Sequence, residues 1–127
     1  MTLPRPAALR ALAVTTVLSV LLVACGGGND AVTTPPDTDA DVSVVGLDNL
    51  QWNETALEAE AGEISVALTC EGGVNHNFVI DETDEVVAEC APGETDEGTV
   101  ELDAGQYTFV CTIPGHERSM RGTLTVN

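Results

Sequence analysis

The sequence predicts an all-β protein, a Greek-key β-sandwich or barrel of about seven to eight strands. Three observations carry that prediction. From Val44 to Asn127 apolar residues alternate with polar ones in short runs at period two, the pattern of half-buried strands. Gly62, Gly72-Gly73, Pro92-Gly93 and Gly105 punctuate those runs with turn chemistry. No stretch sustains the apolar spacing of a long amphipathic helix. At 127 residues the chain holds one domain with a little left for targeting or linking segments.

Residues 1–24 carry Arg5 and Arg10 ahead of an apolar run from Ala11 to Ala24. A basic start, a short apolar stretch and small residues describe a secretory signal peptide. The run falls short of the roughly 20 apolar residues of a membrane span. Its end, Leu22-Val23-Ala24-Cys25, resembles the bacterial lipobox, which implies that Cys25 becomes the lipid-modified first residue of an exported, membrane-anchored protein. An ordinary cleaved signal that ends at a cysteine is the other reading. Arg5 and Arg10 are not adjacent, so a twin-arginine signal is not supported. Residues 25–43 are rich in Gly, Asp, Thr and Pro, with Pro35-Pro36 in the middle. They offer too little apolar area to offset ordering entropy and read as an acidic linker.

The folded part is expected over residues 44–127. Ile64, Val66 and Leu68 share one face, with Glu63, Ser65 and Thr69 on the other. His76, Phe78 and Ile80 share a parity, as do Val86, Ala88 and Cys90, then Tyr107, Phe109 and Cys111, and finally Leu124 and Val126. Ala56 to Ala61 admits a helical reading, but it is short and Gly62 ends it. The run Leu102-Asp103-Ala104-Gly105-Gln106-Tyr107 resembles the tyrosine corner of Greek-key sandwiches. About 84 residues is a small domain with few aromatics, so covalent or metal reinforcement is expected.

Charge and composition narrow the function. With 21 Asp plus Glu against 4 Lys plus Arg, the formal net charge is -17, which argues against nucleic acid as a partner. Removal of Arg5 and Arg10 with the signal would take it to -19. Much of the acidity lies at Asp81 to Glu89 and Glu94 to Asp103. It suits steering of a basic partner, adaptation to salt, or plain solubility. The chain has 2 histidines, His76 and His116, too few for a site built on an imidazole cluster.

The chemistry concentrates in Cys111-Thr112-Ile113-Pro114-Gly115-His116-Glu117-Arg118-Ser119-Met120. A thiolate, an imidazole and a thioether around one Pro-Gly turn are soft or borderline ligands suited to copper. Two histidines and a cysteine with a weak axial methionine form the blue-copper set. His76 is the one histidine left to complete it. Singly, a strand histidine or a methionine is more often core filling; in this order and spacing they form a ligand set.

These residues resemble the cupredoxin family, from Ala59-Glu60-Ala61-Gly62 through His76-Asn77-Phe78 and Gly105-Gln106-Tyr107-Thr108-Phe109-Val110-Cys111 to Met120-Arg121-Gly122. The Cys-x4-His-x3-Met loop resembles azurin in spacing, while the compact interval from His76 to Cys111 resembles plastocyanin and amicyanin. The resemblance implies one type 1 copper per chain, with His76, Cys111 and His116 equatorial and Met120 axial. It also implies that Asn77 and Thr112 brace the ligand loop by hydrogen bonds. The outer edge of His116 is then expected near solvent, ringed by Val74, Ile113, Pro114 and Met120.

Cys70 and Cys90 each end a run on the inward parity. In an exported protein they are expected to pair, closing a loop of about twenty residues for on the order of 3 kcal/mol. A second metal site there would lack histidine partners. The expected function is a one-electron carrier rather than an enzyme, a monomer that exchanges electrons with a cytochrome or a terminal oxidase or reductase. A copper delivery or storage module is the alternative, although Met1 and Met120 are a thin supply for handling Cu(I).

Overall fold

The computed structural model describes residues 38–127. Residues 1–24, expected to be a signal, Cys25, and the expected linker as far as residue 37 lie outside the described residues. Eight strands follow in order among them: β1 Val42–Gly46, β2 Ala56–Ala59, β3 Gly62–Cys70, β4 His76–Ile80, β5 Glu85–Cys90, β6 Thr95–Leu102, β7 Gly105–Val110 and β8 Arg121–Val126. They form two sheets, β1-β3-β6 and β2-β8-β7-β4-β5. The chain is an all-β sandwich, and the described residues contain no helix. β1 opens at Val42, inside the segment that the composition assigns to the linker.

Sheet membership follows from which faces are apolar. β3 pairs in parallel with β1, Val44 beside Leu68, and antiparallel with β6, Ile64 beside Val100. Its residues Ile64, Val66 and Leu68 are all buried, as the period-two pattern requires. β4 is buried along its whole length, with β5 along one edge and β7 beside Val79 and Ile80 on the other. Ala56–Ala59 forms a strand parallel to β8 rather than a helical turn. Leu57 and Ala59 point inward from it while Ala56 and Glu58 stay exposed, an alternation that a helix would not give.

β5 corrects one expectation. Val86 is 55% exposed, and Val87 is buried in its place. The β4–β5 register slips between Phe78 and Val79: Phe78 lies opposite Ala88 but Val79 lies opposite Val86, leaving Val87 as the extra residue of a bulge. One inserted residue reverses the facing of everything beyond it. Ala88 and Cys90, on the near side of the bulge, keep their inward facing.

The core gathers on an aromatic trio. Phe78 and Phe109 stack with centroids 5.0 Å apart, and Trp52 leans on both, at 6.4 and 5.7 Å. Each such ring contributes about 1.5–3 kcal/mol by leaving water. The Tyr107 hydroxyl donates to the Asp103 carbonyl at 3.0 Å, tying the β6–β7 connection to β7. Cys70 and Cys90 form a disulfide with Cα atoms 5.7 Å apart, which links the end of β3 to the end of β5 across the two sheets.

Candidate metal centre

Three segments converge beside that disulfide: the loop after β1, the turn between β3 and β4, and the loop from Cys111 to Met120. His76 opens β4 opposite Cys90, and its backbone N–H donates to Cys70 Sγ at 3.1 Å. Cys111 follows the last residue of β7. The Cys111 N–H donates to the Met120 carbonyl at 3.0 Å, so the two ends of the loop are joined. Within it, the His116 N–H reaches the Ile113 carbonyl at 2.9 Å, closing a turn around Pro114-Gly115. The His116 carbonyl accepts from the Met120 N–H at 3.0 Å and from the Ser119 N–H at 3.1 Å. His116 is thereby folded back toward Cys111, with Sγ and Nδ1 3.5 Å apart.

The ligand atoms of His76, Cys111 and His116 all lie within 4.8 Å of one another. His76 and Cys111 are fully buried and His116 is 9% exposed. Neither ring nitrogen of His76 has a hydrogen-bond partner. Leaving a buried polar atom unpaired costs roughly 1–3 kcal/mol, so a fold that keeps two on one imidazole is arranged for another use. Burial pushes His76 below the ordinary histidine range and the neighbouring His116 adds to this, while Asp48 acts in the opposite sense. The neutral ring so favoured is the form that binds metals.

Met120 is fully buried and belongs to the core cluster. It therefore does not line the outer rim as the resemblance implies, since its backbone is tied to Cys111 and its side chain packs inward. Of the other expected rim residues, Val74 and Ile113 are half-buried and Pro114 is exposed. Asn77 and Thr112 meet as the resemblance implies: Asn77 Oδ1 accepts from the Thr112 N–H at 2.8 Å and Nδ2 donates to Thr112 Oγ1 at 3.0 Å.

Two contributors escape sequence reasoning. Gly46, at the end of β1, packs against the His76 ring, where any Cβ would overlap the imidazole. Asp48 bonds the turn before His76, its Oδ1 accepting from the Gly73 N–H at 2.8 Å. A glycine closing a strand does signal close approach of another group, but nothing in the sequence says that the group is His76.

A family model described as copper binding proteins, plastocyanin/azurin family, matches residues 39–127. The chain belongs to the plastocyanin/azurin family. Copper is accordingly its cofactor, and a buried thiol beside two imidazoles is a donor set suited to that metal. Among solved structures it is similar to auracyanin A, a "blue" copper protein from Chloroflexus aurantiacus, with a TM-score of 0.57 and 24% identity over 67% of this chain and 96% of that one. It is also similar to an azurin from the obligate methylotroph Methylomonas sp. strain J, with a TM-score of 0.59 and 20% identity over 71% of this chain and 99% of that one. Both likenesses are of fold. No curated protein matches the chain. The plastocyanin/azurin assignment spans all eight strands and the whole histidine–cysteine–histidine cluster.

Proposed function

We propose that the chain is a type 1 copper electron carrier that holds one copper ion through His76, Cys111, His116 and Met120. The observation that carries this reading is the buried triad itself, with its two unpartnered His76 nitrogens. What bound copper supplies is a one-electron couple between Cu(I) and Cu(II).

The chain supplies the rest. Cys111 gives up its proton on ligation and becomes the anionic donor. His76 and His116 donate as neutral imidazoles, and the Met120 thioether is the weak fourth donor. Strand ends and a loop closed by its own backbone bonds hold these groups, so little has to move when charge changes. Burial of His76 and Cys111 keeps water out, and His116, the one ligand with residual exposure, is the exit toward a partner. The reading extends to a protein exported by residues 1–24 and anchored through lipidated Cys25, meeting a cytochrome or a terminal oxidase or reductase with a basic docking face. The auracyanin likeness, to a protein described as "blue" copper, supports the colour expected here.

Copper titration of the purified protein tests the core of the reading. An intense blue thiolate-to-Cu(II) band that Cys111→Ser abolishes is expected, with reversible one-electron voltammetry. A colourless copper complex of the intact protein overturns it. For the anchor, Cys25→Ala is expected to move the protein from the membrane to the soluble fraction.

A further inference from the structure

We propose that Asp48 is a positioning residue of the copper site: it holds the Gly72–Gly73 turn so that His76 meets the metal in one orientation, and it keeps a negative charge near that ring. The inference rests on copper being bound by His76.

No side chain is bonded to the His76 ring, and neither of its nitrogens has a partner in good hydrogen-bond geometry. Its position is set instead by what packs around it and by the chain immediately before it. That chain is a clasp between two loops. The Glu71 N–H donates to the Gly46 carbonyl at 2.9 Å, and the Gly73 N–H donates to Asp48 Oδ1 at 2.8 Å. Gly72 has φ +81°, and a side chain there would overlap the Asp48 carboxylate. The carboxylate thus fills the concave side of the turn, and the turn runs through Val74 and Asn75 straight into His76. On the other arm of the clasp, Gly46 packs against the imidazole with no room for a side chain between them. A shift of the Asp48 loop therefore reaches the ring from both sides.

The charge has its own consequence. A carboxylate near the site favours Cu(II) over the less positive Cu(I), so it lowers the reduction potential. Asp48 is exposed, and added salt weakens that effect.

Two substitutions separate position from charge. Asp48→Asn keeps an oxygen to accept the Gly73 N–H, so the wild-type visible and electron paramagnetic resonance spectra are expected with a raised potential. Asp48→Ala removes both contributions; a shifted thiolate band, altered copper hyperfine splitting, a raised potential and faster copper loss to a chelator are expected. An Asp48→Ala protein with the wild-type spectrum, or an Asp48→Asn protein with the wild-type potential, overturns the proposal. If Asp48→Ala does not fold, the potential of Asp48→Asn decides alone. A wild-type protein that forms no blue complex sinks the copper-carrier reading instead, so the two failures are distinguishable.

Discussion

Asn77 and Thr112 exchange two hydrogen bonds, at 2.8 and 3.0 Å, from positions that each directly follow a member of the triad. Asn77 comes after His76 and Thr112 after Cys111, so this one carboxamide locks the spacing between β4 and the ligand loop. Asn77→Ala removes both bonds and leaves the Thr112 amide without its protein partner. A loss of about 1–3 kcal/mol in urea unfolding of the metal-free protein is expected, with a shifted thiolate band once copper is added. Thr112→Ser keeps both contacts and is expected to match the wild type.

The disulfide supports the same strand. Cys70 Sγ accepts the His76 N–H at 3.1 Å, and Cys90 lies opposite His76 in the ladder. Replacing both cysteines by serine opens the closed loop and is expected to cost about 3 kcal/mol, read as a lower unfolding midpoint. Because the loss falls beside a ligand, copper is also expected to leave faster to a chelator. Unchanged copper release would show that β4 holds His76 without the bridge.

Asp41 provides a dependence on pH. Its carboxylate accepts the Ser65 hydroxyl at 2.6 Å and the Ser65 N–H at 2.8 Å, and the hydroxyl first, then the amide, hold its pKa below the usual carboxylate range. The unfolded chain lacks both bonds and takes up the proton more readily. The stabilisation is therefore complete above the ordinary carboxylate range and is lost as pH falls through the lowered value. Asp41→Asn is expected to unfold earlier than wild type at pH 7, with the gap closing in acid. A gap of equal size at pH 7 and pH 3 contradicts this account.

The β5 bulge makes a paired prediction. Val87→Ala strips two methyl groups from a buried site and is expected to cost about 1.5 kcal/mol. Val86→Ala alters an exposed side chain and is expected to stay within about 0.5 kcal/mol. Equal effects in denaturant titrations would mean that the register does not slip at Val87.

What the sequence made legible was whatever is written in local spacing. Period two marked β3, β4 and β7, the Asp103–Tyr107 interval marked the corner, and Cys-x4-His-x3-Met marked the loop. The facing of Val86 was hidden because a bulge belongs to a pair of strands, and only the partner register reveals it. Ala56–Ala59 was ambiguous because four residues fit either period until β8 lies alongside. Gly46 and Asp48 were invisible for a similar reason: they reach the site from about thirty residues away through a parallel pairing of β1 with β3, and such long-range pairings leave no local trace.

That pairing also orients attachment. β1 runs from the Asp41–Ser65 tie at its start to Gly46 on the His76 ring at its end, a distance of about 15 Å for five residues. The polypeptide thus enters the sandwich at the end remote from the ligands. A protein fixed to an electrode or a bead through the chain ahead of Asp41 would present His116 outward, wired for current without a designed linker on the ligand side.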